Sequence, residues 1–305
     1  MSAYNSPDSS RKPTAEEVTV GLDLGGRTAL VTGATSGVGL ESARVLALRG
    51  AHVLVAGRSL EKAQDACGRM TGNATPLACD LEDFDAVAAC ADRIQRLGRP
   101  LDILICNAGI MAPPSLERVR GLEKQFVVNH LGHFILVSRL LHTVQAAPAG
   151  RIVMLSSSAH RWAPPGGIAF DNLTGEKGYD PRAFYGQSKL ANALVARELA
   201  RRFAGSATTA NAVHPGLVIT GIIRYLPRWQ QLFAPAVGVV MRSRIKTIPQ
   251  GAATTCFVAA HPATATISGK YFADCAVATP EPVMEDDALA ARLWQESEKL
   301  TRSWL

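Results

Sequence analysis

Short apolar runs alternate with helical stretches from near the start of the chain to its end. TALVT (residues 28–32), HVLVA (52–56), a segment near 76–78, DILIC (102–106), RIVML (151–155) and TTANAV (208–213) predict six strands, and GKYF (269–272) predicts a seventh. Helices are predicted over 38–50, 60–70, 83–97, 121–145 and 181–203, with Gly50 stopping the first. Strands that are apolar throughout belong to a parallel sheet covered on both faces. No polar linker interrupts the alternation. The pattern predicts a single Rossmann-like, doubly wound α/β domain over 14–305, with a parallel sheet of about seven strands and helices on both faces. Residues 1–13 carry no apolar core and predict a disordered tail rather than a signal peptide. No apolar run is long enough for a membrane-spanning helix.

Composition narrows the classes. Of 305 residues, 47% are apolar and 19% charged, ample for a buried core and inconsistent with global disorder. The net charge of +6 is mildly basic and fits an anionic ligand such as a phosphate. The six cysteines are scattered with no CxxC pair, so no disulfide framework or zinc site is expected and a cytoplasmic location fits best. The seven histidines include no HExxH. His130 and His133 are close, but no neighbouring cysteine or carboxylate completes a ligand set, so packing or hydrogen bonding is expected of them and no metal.

Ligands of such sheets bind beyond the carboxyl ends of the strands, where strand order reverses. The first strand ends in Thr32-Gly33-Ala34-Thr35-Ser36-Gly37-Val38-Gly39, and a helix starts there. Glycines in this turn let a phosphate approach backbone N–H groups at the positive end of the helix. The spacing is GxxxGxG. The position of the turn, more than the triplet itself, points to a dinucleotide. The second strand ends in Ala56-Gly57-Arg58 with no acidic residue for ribose hydroxyls, and an arginine accommodates a 2′-phosphate. NADP(H) is therefore favoured over NAD(H). The third strand leads to Asp80, whose carboxylate either meets the adenine amino group or caps the next helix.

Tyr185 and Lys189, four residues apart in a predicted helix, share a face. An ammonium beside a tyrosine is expected to pull the phenol pKa from about 10 toward neutrality, giving a general acid/base for an alcohol proton. Alone, YxxxK is common. Behind a glycine loop and a strand ending in serines it is informative.

With those residues in view, the chain resembles the short-chain dehydrogenase/reductase family from Thr14 to Leu305. TGATSGVG, CDLED, Cys106-Asn107-Ala108-Gly109, NHLGHF, MLSSSAH, YGQSK and HPG carry the resemblance, in that order. Within the family it is most similar to the retinol-dehydrogenase-like branch. The resemblance implies that Ser157 hydrogen-bonds the carbonyl or alcohol oxygen and that Tyr185 exchanges the proton. Lys189 would lower the tyrosine pKa and hold the nicotinamide ribose, and Asn129 would support a water leading to Lys189. Asn107, Ala108 and Gly109 would line the adenosine side. Pro215 and Gly216 would border the nicotinamide, and Thr220 would lie near the pyrophosphate. Leu81 and Val218 complete the cofactor set with Gly33, Thr35, Ser36, Gly37, Val38, Gly39, Arg58 and Asp80. Ser156 and Ser158 flank Ser157, so that assignment depends on register. The gap between Ser157 and Tyr185 is longer than in most of the family. The inserted Pro164-Pro165-Gly166-Gly167 is expected to form a surface loop at the substrate mouth. Cys106, where many relatives carry asparagine, is expected to pack as a small hydrophobe.

Between Leu217 and Thr247 there is no acidic residue, while Arg224, Arg228, Arg242, Arg244 and Lys246 interleave with Tyr225, Leu226, Trp229, Leu232 and Phe233. The preferred reading of 217–248 is a substrate lid for a bulky apolar carbonyl or alcohol. Plain packing, or shallow membrane contact by 222–246, are the lesser readings. Nucleic acid is not an expected partner, and a homo-oligomer is left open. The leading expectation is an NADP(H)-dependent oxidoreductase interconverting a carbonyl and an alcohol. Its rivals are a catalytically silent NADP(H)-binding regulator or scaffold and a reductase of carbon–carbon double bonds.

Overall fold

The computed structural model describes residues 12–218 and 245–305. Strands β1 (Thr28–Thr32), β2 (His52–Gly57), β3 (Ala74–Ala78), β4 (Ile103–Cys106), β5 (Arg151–Leu155), β6 (Thr209–His214), β7 (Tyr271–Ala273) and β8 (Ala276–Val277) form one sheet in the order 8-7-6-5-4-1-2-3. Seven strands run parallel, and β8 returns antiparallel against β7 at the edge. That eighth strand, two residues long behind a turn, extends the sequence expectation. Strand order reverses between β1 and β4, so the turns that follow these two strands open into one crevice.

The helices are α1 (Ala15–Val18), α2 (Gly37–Leu48), α3 (Leu60–Cys67), α4 (Phe84–Gln95), α5 (Gly132–Gln145), α6 (Pro181–Arg202), α7 (Ile248–Ala260) and α8 (Asp287–Thr301). Successive β1 residues feed opposite cores, as strand alternation requires. Leu30 joins Phe84, Phe134, Leu194 and Trp294 under α4, α5, α6 and α8. Ala29 and Val31 join Val45, Leu46 and Phe257 under α2 and α7. This two-sided burial is why the strands read as unbroken apolar runs.

The helix expected over 121–145 is not continuous. Residues 118–119 and 122–123 pair as a short antiparallel hairpin, a helical turn covers Lys124–Phe126, and a π-helical turn spans Val127–Leu131 before α5 begins. In that wide turn the Gly132 N–H bonds the Val127 carbonyl five residues back. A Cβ on Gly132 would stand 2.7 Å from the Leu81 carbonyl oxygen, so the glycine lets this turn close on the loop after β3. The chain from Thr14 is fixed by a capping box with Glu17, and Gln250 donates to the Lys12 carbonyl, so the described part of the expected tail is tied to the domain. Among the described residues, no helix is long and apolar enough to cross a membrane.

Burial lowers the pKa of several histidines, and most strongly that of three. It pulls His130 down to about 3, His133 to about 4 and His214 to about 4, from an ordinary value of 6.5. The unfolded chain takes up protons at these positions below about pH 6.5, and the folded chain refuses them until far lower pH. Stability should therefore fall progressively as pH drops from 6.5 toward 4. A His130→Gln variant, with no proton to gain, should lose less over that window in thermal melts. An equal pH slope in both proteins would contradict this.

Candidate active site

The crevice beyond β1, β4, β5 and β6 is a cleft of about 700 Å³. At its first-strand end, Gly33, Thr35, Ser36, Gly37, Val38 and Gly39 line it together. Gly33 and Gly37 adopt φ of 63° and 58°, in the left-handed region that favours glycine. A Cβ on Gly39 would stand 2.3 Å from Asn107 Nδ2 and 2.4 Å from the Gly33 carbonyl oxygen. Gly39→Ala should therefore displace the turn, cost about 1–3 kcal/mol of stability and weaken dinucleotide binding. Wild-type melting and wild-type NADPH titration of that variant would contradict the close approach.

The N-terminus of α2 fits a phosphate. Helices α3, α4, α6, α7 and α8 each have a first-turn N–H capped by a side chain, from Ser59, Asp83, Asp180, Thr247 and Asp286 respectively. Ser36, at the same position before α2, makes no such bond, although it is a good capping residue by type. The helix end that lines the cleft is thus left open to an external acceptor.

At the end of β2, Arg58 is exposed and lines the cleft, as do Lys62, Asp65 and Arg69. Lys62, in the first turn of α3, was missed from sequence. Asp80 and Leu81 line the cleft after β3. Asp80 does not cap the next helix: its Oδ1 accepts from Glu82 N at 3.1 Å, while Asp83 caps α4. After β4, Asn107 Nδ2 donates to the Thr32 carbonyl at 2.9 Å, locking this turn to β1. A Cβ on Gly109 would lie 3.0 Å from Asn129 Oδ1 and 3.3 Å from Lys189 Nζ, so the glycine lets this turn pack closely on both groups. Cys106 is fully buried, and burial pushes its thiol well up, so it packs as expected.

Geometry separates the three serines after β5. Ser156 is buried and its Oγ donates to the Lys189 carbonyl at 2.8 Å. Ser158 is exposed. Ser157 accepts from Ala159 N, and its side chain lies near enough to the Tyr185 hydroxyl to lower that phenol's pKa slightly. Asn129 is buried in the π-turn. Its Oδ1 accepts from Ile110 N, while its Nδ2 donates to the Ile110 carbonyl and to Ser188 Oγ. Asn129 does not line the cleft directly, whereas Ser157, Tyr185 and Lys189 all do.

The expected lowering of the Tyr185 pKa is corrected. Burial pushes the phenol up to about 12, against a smaller lowering by the nearby Ser157 side chain. The Lys189 ammonium lies over the Tyr185 ring, 5.8 Å from its centroid, and donates to the Leu155 carbonyl at 3.2 Å. Burial also pulls Lys189 down to about 8. Desolvation of both groups outweighs their attraction, so the phenol keeps its proton at neutral pH.

His214, Pro215, Gly216, Leu217 and Val218 line the far side, with Gly216 at φ 92°. A Cβ on Gly216 would meet Lys246 Cδ at 2.7 Å. Lys246 itself is buried and pairs with Asp274 at 2.6 Å, so it is not a free member of the basic segment. Thr220 and most of the expected lid lie outside the described residues. Of the insertion after β5, Trp162 lines the cleft, its ring 6.4 Å from that of Tyr185. Gly167 and Ile168 are buried instead, and Gly167 approaches Leu190, Val283 and Leu289, so this part of the insertion packs inward. Sequence reasoning missed Trp162, Ile110, Met111 and Val128 as cleft residues, since nothing local distinguishes them from core. His130 and His133 both make hydrogen bonds, to Ser297 for the first and to Thr32 and Asn129 for the second.

A phosphate-accepting first turn and a buried tyrosine–lysine pair opening on one crevice are the working parts of a nicotinamide-dependent oxidoreductase. Comparison with known proteins agrees. The family model for short chain dehydrogenase matches residues 27–231. Short-chain dehydrogenase TIC 32 A, chloroplastic, of Brassica napus is 42% identical, over 95% of this chain and 93% of its own. Retinol dehydrogenase 14 of Homo sapiens is 36% identical, over 94% and 90%. The crystal structure of an uncharacterised protein from Mycobacterium Paratuberculosis has a TM-score of 0.75 at 32% identity, covering 93% of this chain and 97% of that one. The chain belongs to the short-chain dehydrogenase/reductase family, in its retinol-dehydrogenase-like branch, and is an NAD(P)-dependent oxidoreductase acting on CH–OH or C=O groups.

Proposed function

We propose that this protein interconverts an aldehyde or ketone and its alcohol on a bulky apolar substrate, with NADP(H) preferred over NAD(H) and Tyr185 exchanging the proton. The observation that carries the reading is that Ser157, Tyr185 and Lys189 line one cleft together, with the Lys189 ammonium 5.8 Å from the centroid of the Tyr185 ring. The bound nicotinamide supplies or accepts the hydride. The protein's own residues do the rest. Ser157 Oγ and the Tyr185 hydroxyl converge on one carbonyl oxygen, orienting it and polarising it. Tyr185 then gives its proton to the forming alkoxide. Lys189, still mostly charged at neutral pH although burial pulls it down to about 8, stabilises the phenolate left behind. It is also placed to hold the ribose. Asn129 keeps the helix turn beside Lys189 in place and supports a water there.

The Gly37–Gly39 turn takes the pyrophosphate, and Arg58 with Lys62 takes the 2′-phosphate. Asp80, Leu81 and Asn107 to Gly109 border the adenosine side. Pro215, Gly216 and Val218 border the nicotinamide. Ile110, Met111, Val128 and Trp162 give the cleft apolar walls suited to a substrate of low polarity. The test is a panel of apolar aldehydes, ketones and alcohols followed by NADPH absorbance. Turnover of long-chain or ring-bearing carbonyls supports the reading. No turnover of any member, with NADPH still bound, favours a silent dinucleotide-binding protein.

A further inference from the structure

His133 touches neither cleft nor substrate in the proposed reaction, yet both its ring nitrogens are engaged. Nδ1 lies 3.0 Å from the Asn129 carbonyl oxygen, and Nε2 lies 2.8 Å from Thr32 Oγ1. A carbonyl oxygen only accepts, so Nδ1 carries the proton. Nε2 then offers a lone pair and takes the Thr32 hydroxyl hydrogen. With its hydrogen committed, Thr32 Oγ1 accepts from Asn107 N at 2.9 Å and Ala108 N at 3.1 Å. The opposite end of the chain of bonds is equally defined. Asn129 Nδ2 donates to Ser188 Oγ at 2.9 Å, and Ser188 Oγ donates to the Tyr185 carbonyl at 2.8 Å. The ring is wholly buried, and burial holds it neutral to about pH 4, so this single tautomer persists at working pH.

The path therefore runs from the turns after β1 and β4, where the dinucleotide would lie, through Thr32, His133, Asn129 and Ser188, to the helix turn that carries Tyr185. Asn129 sits in a π-turn, where its carbonyl meets the His133 ring rather than being left to the regular helix ladder alone. We propose that His133 is a positioning residue that pins the Asn129 carbonyl to the end of β1, keeping the cofactor turn and the Tyr185–Lys189 helix in one register. The role rests on the assignment of Tyr185 as proton donor.

The test uses the full chain and a carbonyl substrate that the wild type reduces. His133→Phe keeps the ring and removes both nitrogens. It should lower kcat by roughly tenfold or more, the scale of one buried hydrogen bond, with substrate KM and NADPH affinity nearly unchanged. His133→Asn keeps an N–H donor near the Nδ1 position and should recover much of the kcat. His133→Gln, which cannot place its donor there, should recover less. Thr32→Val, combined with His133→Phe, should cost less than the product of the two single losses, because the two act through one link. A His133→Phe variant with wild-type kcat, or a lowered melting temperature with unchanged kcat, overturns the proposal. If the Phe variant does not fold, equal kcat in the Asn and Gln variants overturns it. A wild type inactive on every carbonyl overturns the Tyr185 assignment and this role with it. An active wild type matched by His133→Phe overturns only the role of His133.

Discussion

Replacing Tyr185 by phenylalanine should lower turnover by at least about 100-fold while leaving NADPH affinity nearly intact. The phenyl ring refills the same volume in a site where Tyr185 is 5% exposed, so the packing is kept. What is lost is the hydroxyl beside Ser157, the only group proposed to give a proton to the substrate oxygen. Because the phenol of the free protein stays protonated to about pH 12, the loss should be seen across the neutral range in the reduction direction. Lys189→Met should lose both rate and cofactor affinity, since that ammonium is proposed to serve the phenolate and the ribose. Steady-state kinetics with a fluorescence titration of NADPH separates the two cases. A Tyr185→Phe variant with near-normal kcat would remove Tyr185 from the reaction.

Arg58→Ala should weaken NADPH binding roughly 10- to 150-fold, the equivalent of losing one charge-assisted hydrogen bond of about 1.5–3 kcal/mol. A guanidinium meets a phosphate with two parallel bonds, and no other residue type matches that geometry. NADH has no 2′-phosphate, so its binding should barely change. Arg58→Glu should go further. It would repel the phosphate and offer the ribose hydroxyls an acceptor, shifting preference toward NADH by a loss and a gain together. Lys62, on the wall of the same cleft, should retain part of the phosphate affinity in Arg58→Ala. Salt should weaken NADPH binding more than NADH binding, because Arg58 is exposed. The measurement is kcat/KM for both cofactors in wild type and in Arg58→Ala. An unchanged NADPH/NADH ratio would make Arg58 a surface residue with no part in cofactor choice.

Much of the fold was legible because burial on two faces writes unbroken apolar runs, as in TALVT and RIVML. The edge strand Ala276–Val277 was not, since two residues behind a turn carry no periodicity. The break in the helix at Val127–Leu131 was hidden for the opposite reason. VVNHLGHF is buried all round, so no polar face records the change of pitch. The first-strand turn and the Tyr185–Lys189 pair were readable because their spacing is itself the chemistry. Choosing Ser157 among three adjacent serines needed the positions of Lys189 and Tyr185 in space. The Tyr185 pKa was misjudged because sequence spacing gives the attraction of Lys189 and not the desolvation of both groups. Charge was misread in a similar way at Lys246, whose partner Asp274 lies across the sheet edge and far along the chain.

In the proposed reaction, hydride and proton are added across a carbonyl in this cleft. The direct measurement is to supply an apolar aldehyde with NADPH carrying deuterium at the transferable position and locate the label in the product by mass spectrometry and NMR. The account predicts an alcohol with one deuterium on the former carbonyl carbon. Deuterium on a carbon of a reduced double bond with the carbonyl intact, or no labelled product from a protein that binds NADPH, would contradict it.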